Sequence, residues 1–162
     1  MSREIFSSKR TNWETPQTFF NALDAEFHFT LDAAASAGNA KCFRYLSKRD
    51  DGLHTVTVWP LVDIPGGSPV GWREHPKFHH NIWCNPPYGR KVGKWFAKAR
   101  EAQAEGATVV MLVPARTDTR WWHEHVQGIA SEIRFIKGRI RFVGGKAGAT
   151  FPSVVIVYRG KP

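Results

Sequence analysis

The run Thr108 to Pro114 (TVVMLVP) constrains this chain most. An unbroken apolar run of strand length suits a strand covered on both faces, as in a parallel sheet flanked by helices. Its neighbours agree. Ile82, Trp83 and Cys84 form a second apolar run, and Glu132 to Lys137 also reads as a strand. Between the first two, Val92, Trp95, Phe96, Ala99 and Ala102 recur at helical spacing, and Gly106 marks a stop. A second helix is expected around Trp121, Trp122 and Val126. Strand, helix, strand, helix, strand from residue 82 to 137 predicts a parallel sheet with helices on its faces. Arg139 to Val143 and Ser153 to Tyr158 also read as strands, separated by the basic loop Gly144 to Gly148. The last strand follows a hairpin-like turn and is expected to run antiparallel.

The strand at 82–84 ends abruptly in Asn85-Pro86-Pro87-Tyr88. Proline fixes φ and cannot donate to a ladder, and it restricts the residue before it. Asn85 therefore presents a side-chain acceptor from a stiff loop. The Pro86 carbonyl has no following N–H, and the Tyr88 ring is flat and amphipathic. Two aimed acceptors beside a ring suit a planar exocyclic amine. They take both hydrogens and free the nitrogen lone pair to attack, while the ring can stack on the base.

Upstream, residues 1–12 read as a polar, basic arm. Thr15 is expected as N-cap and Pro16 as first residue of a helix carrying Phe19, Phe20, Leu23 and Phe27 on one face. Phe29 to Ser36 reads as a strand running into a small-residue turn, where backbone can approach a ligand closely. No GxGxxG accompanies it. Residues 39–46 are expected as a short helix or strand. Asp50 and Asp51 sit in a turn about 18 residues after Asp32, near the spacing of a ribose-binding acid. Residues 60–80, rich in Pro and Gly, read as a long loop.

The chain has 162 residues, read as one domain, with 23 Lys and Arg against 14 acids, a net charge of +9. That excess points to a polyanionic partner, nucleic acid above all. No apolar run has membrane-spanning length and the first ten residues are polar, so neither a membrane segment nor a signal peptide is expected. Two cysteines without CxxC spacing suit an intracellular protein with free thiols. The pairs His79-His80 and His123-His125 match no metal-binding spacing, and no metal site is expected.

Asn85 to Tyr88 resembles the [DNS]-P-P-[YFW] motif of amino-methyltransferases. WETPQTFF, FTLDAAASAGNAKC, DDGL, WCNPPYGR, TVVMLVPARTDTRWWH, EIRFIKGRIRF and FPSVVIVY together resemble the phage DNA N6-adenine methyltransferase family, in the gamma-type motif order. The resemblance runs from about Trp13 to Tyr158 and is broken chiefly at residues 58–80. It implies a Rossmann-like α/β fold of the S-adenosylmethionine-dependent type, a mostly parallel sheet with a C-terminal antiparallel strand. It implies S-adenosylmethionine as cofactor, double-stranded DNA as partner, and a location in the bacterial cytoplasm for a phage or prophage protein.

The resemblance also implies roles. Asn85, Pro86, Pro87 and Tyr88 correspond to the catalytic loop. Thr15 and Pro16 correspond to a Thr-Pro lining the cofactor pocket. Asp32, Ala33, Ala34 and Ala35 stand where relatives of the wider class carry a glycine-rich loop. Asp50 or Asp51 would touch the cofactor ribose or adenine. Arg116, Arg120, Lys137, Arg139, Arg141 and Lys146 are candidates for DNA contact. The same loop would serve RNA adenine or protein glutamine, and a basic DNA-binding module without catalysis is a third reading.

Overall fold

The computed structural model describes residues 12–49, 53 and 80–161. Helix α1 (Gln17–Phe27) precedes a two-residue strand β1 (Leu31–Asp32). Strand β2 (Asn81–Cys84), helix α2 (Val92–Ala104), strand β3 (Thr108–Pro114) and helix α3 (Arg120–His125) follow. Strands β4 (Glu132–Phe135) and β5 (Ser153–Tyr158) complete the order. The sheet runs β1-β2-β3-β5-β4.

Strands β1, β2 and β3 are parallel neighbours, while β5 lies antiparallel between β3 and β4. The result is a mixed α/β sheet in which four strands share one direction. The antiparallel last strand is where the sequence put it. The connection to it, residues 136–152, is long rather than a tight hairpin. All of Val109 to Val113 and Val154 to Tyr158 are fully buried, as a strand between two others and under helices requires.

The predicted helix faces hold. Phe20 and Phe27 of α1 are buried, with Phe19 and Leu23 partly so, and their rings meet Phe29 and Trp83. Val92, Trp95, Phe96, Ala99 and Ala102 bury the inner face of α2. Its end is set by Gly106, at φ 94°, in the region that favours glycine.

Three local expectations change. Pro16, not Thr15, is the N-cap of α1; its carbonyl accepts from Phe20 N–H at 3.1 Å, and Thr15 is buried with other work. Residues 39–46 form neither helix nor strand. They touch β1 through one parallel bridge, Asp32 with Tyr45, because the hydrogen bonds of Asp32 and Leu46 there are not extended into a ladder. Arg139 to Val143 is not a strand either. Its alternation is real, with Ile140 and Phe142 buried and Arg139, Arg141 and Val143 exposed. However, Val143 N–H donates to the Glu14 carbonyl, Gly145 N–H turns back onto Phe142, and Ala149 N–H onto Ile140, so the segment forms isolated bonds and no strand ladder among the described residues.

Candidate functional site

Parallel strands place their carboxyl ends on one edge, and the loops that follow gather there. β1 ends at Asp32 and β2 runs directly into Asn85, and both residues line one cavity of about 200 Å³. Thr15, Lys41, Trp83, Pro86 and Pro87 also line it. A second cavity of about 520 Å³ adjoins it, sharing Asn12, Ala34, Asn39 and Pro87. Its wall is the small-residue turn Ala34 to Ala37, the segment Tyr45 to Arg49, and Trp95.

Asn85 is the best-defined polar group here. Its amide nitrogen donates to the Trp13 carbonyl and to Thr15 Oγ1, the latter at 2.9 Å. A carbonyl can only accept, so the nitrogen must face Trp13 and the oxygen must face away. That oxygen, Oδ1, is buried and has no hydrogen-bond partner among the described residues. A buried unsatisfied acceptor costs about 1–3 kcal/mol and calls for a reason.

Asp32 shapes the wall beside it. Oδ1 accepts from Ala34 N–H at 3.2 Å and Oδ2 from Lys41 N–H at 3.0 Å. Burial raises its carboxyl pKa to about 6, outweighing those two donors, which pull the other way. The Lys41 side chain returns into the same cavity, 3.6 Å from Glu14 and 3.3 Å from Gln17 Oε1.

Tyr88 departs from expectation. Its ring is buried edge-on against Phe142 and Phe151, and its hydroxyl donates to the Leu112 carbonyl at 3.1 Å. Burial holds the phenol well above its ordinary pKa. Those two ring contacts and the hydrogen bond to Leu112 hold the ring toward the core. It therefore lines neither cavity, whereas Trp13 lines the first. Ala33 is also fully buried, with its N–H on the Trp83 carbonyl, so Ala34 and Ala35 carry the open part of the turn. Pro16 caps α1 and is not in either lining. Asp50 and Asp51, and most of the predicted 60–80 loop, lie outside the described residues.

Arg116, Arg120, Lys137, Arg139, Arg141 and Lys146 are all exposed. Arg120 is held by Glu124 at 2.6 Å, across one turn of α3. The other five stand on the connections after β3 and β4, which leave the sheet at the same edge as Asn85. Sequence reasoning missed Trp13, Asn39 and Lys41. Only the WETP and NAKC segments carried a hint, and what brings them to the cavity is tertiary: Val143 on Glu14, and Lys41 N–H on Asp32. No group of three or more His, Cys, Asp or Glu side chains able to hold a metal occurs among the described residues. No helix among them is long and apolar enough to cross a membrane.

A polar cavity at the carboxyl edge of parallel strands, joined to a turn of small residues, defines an α/β domain built to hold a ligand at that edge. Within that class the chain belongs to the DNA N-6-adenine-methyltransferase (Dam) family, which it matches over residues 3–153. It is similar to a DNA N-6-adenine-methyltransferase of Escherichia phage T1, at 28% identity over 155 residues. That match covers 86% of this chain and 56% of the relative, so the chain spans little more than half of the phage protein's length.

Proposed function

We propose that this chain is an S-adenosylmethionine-dependent methyltransferase that methylates the N6 amine of adenine in double-stranded DNA. One observation carries the reading: Asn85 Oδ1 is a buried acceptor without a partner among the described residues, in a cavity beside a turn of small residues. Family membership supports it, as does the similarity to the phage T1 protein.

The residues present fit the cofactor. Ala34 to Ala37 put little side chain between backbone and ligand, and Tyr45 to Arg49 face them across the larger cavity. These segments, with Thr15 and Asp32 at the smaller one, would hold S-adenosylmethionine. When bound, that cofactor supplies an electrophilic methyl on a sulfonium centre. The fold would then be the Rossmann-like methyltransferase type, with β5 as its antiparallel strand.

The chain's own contribution is orientation and polarisation. An adenine held in the smaller cavity would donate from its amine to Asn85 Oδ1. That bond favours a more tetrahedral nitrogen, whose lone pair is freed from the ring. Asn85 is no base, and the amine's proton leaves to water after transfer. Reaching the cavity requires the adenine to leave the duplex stack, at a cost of a few kcal/mol. Trp13, in the lining beside Asn85, would take the place expected of Tyr88 as an aromatic surface for a captured base, with Trp83 the other aromatic residue of that lining.

The test is methyl transfer from labelled S-adenosylmethionine into duplex DNA, RNA and protein in parallel, with modified adenines mapped in the DNA. Label confined to DNA as N6-methyladenine is the expected result. Label in RNA or protein glutamine would reassign the substrate, and none anywhere would leave a binding module.

A further inference from the structure

We infer that Thr15 is a positioning residue that holds the Asn85 amide in the one orientation able to accept from a substrate amine. This rests on the proposed amine-gripping role of Asn85 and adds what makes the grip directional. An asparagine amide has two orientations of nearly equal shape, one presenting oxygen to the cavity and the other presenting NH2. Only the first can receive an amine; the second would meet it donor to donor.

Two acceptors select the first orientation. The Trp13 carbonyl and Thr15 Oγ1 each take one amide hydrogen. With both hydrogens used, the amide is fixed, and Oδ1 stands in the buried wall without a partner among the described residues. Thr15 is itself only 2% exposed and lies in the extended segment before α1, away from the N-cap role its Thr-Pro sequence suggested. Its hydroxyl is therefore spent on Asn85 and not on the helix. The segment is fixed in turn from outside. The Trp13 ring packs edge-on to Phe142 and Phe151 at 5.4 and 5.1 Å, and the Glu14 carbonyl receives Val143 N–H at 3.0 Å.

Thr15→Val keeps the shape and removes the acceptor, while Thr15→Ser keeps the acceptor. Two readouts separate this role from packing or cofactor contact. In single-turnover methyl transfer, Thr15→Val is expected to lower the rate about tenfold, the worth of one hydrogen bond, with Thr15→Ser close to wild type. In an Asn85→Ala background the same Thr15→Val change is expected to do nothing further, because the group it orients is gone. Equal slowing in both backgrounds would overturn the inference. Independently of activity, the Asn85 side-chain NH2 signal is read by nitrogen-15 NMR, assigned by its loss in Asn85→Ala. Slow hydrogen exchange is expected in wild type and Thr15→Ser, and faster exchange in Thr15→Val. An amide that exchanges equally fast in all three refutes the clamp even if the chain proves to transfer no methyl. A protected amide in a protein without activity would instead place the error in the proposed function.

Discussion

Asn85 has its amide nitrogen committed to Trp13 and Thr15, and its oxygen has no partner among the described residues. A contact that strengthens as the amine nitrogen becomes tetrahedral acts on turnover, not on ground-state affinity. Asn85→Ala should lower the single-turnover rate roughly 10²–10³-fold, while calorimetric affinity for S-adenosylhomocysteine stays near wild type. A matching loss of affinity would make Asn85 a binding residue. Tyr88 behaves differently from its neighbour: the sequence showed an aromatic after two prolines but not which way it turns. Its hydroxyl bonds Leu112 in the core, so Tyr88→Phe should lose stability, about 1 kcal/mol by urea unfolding, with the transfer rate little changed. Asp32 makes a pH-dependent contribution of known sign. Its carboxyl pKa is about 6 in the fold, against 3.8 as the ordinary value, because of burial. Between those values the unfolded chain loses the proton that the folded chain keeps, so stability falls as pH rises through this window and is level above it. The difference amounts to about 3 kcal/mol at most. Urea midpoints at pH 4 and pH 7 should therefore drop further for wild type than for Asp32→Asn. Parallel curves would show that Asp32 is not the source.

At the scale of elements, legibility followed periodicity. Thr108–Pro114 and Ser153–Tyr158 were readable to the residue, because a strand buried on both faces is apolar throughout. The inner face of α2 was readable from five side chains at helical spacing. Residues 139–143 show where the signal fails. Their alternation records burial against the core, while their backbone bonds go to single residues, Val143 N–H to Glu14 and the Ile140 carbonyl to Ala149 N–H, and build no ladder among the described residues. The order β3-β5-β4 was not legible either, because insertion of the last strand beside β3 is a choice of tertiary packing. One contact between elements gives a sharp expectation. A Cβ added at Gly160 would lie 2.0 Å from the Gly106 carbonyl oxygen and 2.7 Å from that of Ala107. Both are backbone atoms of the two residues just before β3, where nothing can swing aside. Gly160→Ala should therefore destabilise strongly, by about 2–4 kcal/mol, seen as a lower thermal midpoint. Gly38→Ala, with open space around it, serves as the control and should be near neutral.

For the whole molecule, the distribution of charge matters more than its total. The chain carries a net +9, and the connections after β2, β3 and β4 concentrate basic residues at the edge that holds Asn85. Arg90, Lys91, Arg116, Lys137, Arg139, Arg141 and Lys146 are exposed there, with Asp118 as their acidic neighbour. At the opposite edge Arg159 is bound into a network with Glu26 and Glu132, so part of its charge is already answered. Arg134 is held by the same two carboxylates. Arg100 and Lys161 are also exposed at that opposite edge, with Glu105 beside them, but the larger basic excess stands at the cavity edge and draws a polyanion mainly there. If that edge contacts duplex phosphates, binding releases counterions and log affinity falls linearly with log salt, by about 0.9 for each phosphate neutralised. Titrating a labelled duplex from about 50 to 200 mM salt measures that slope. Changing Arg139, Arg141 and Lys146 together to Gln should flatten it by up to about 2.7, at about 0.9 per contact. Changing Arg134 and Arg159 to Gln should leave the slope unaltered, because those cations serve the fold. A slope that responds equally to both sets would mean that net charge alone attracts DNA and that the cavity edge holds no footprint.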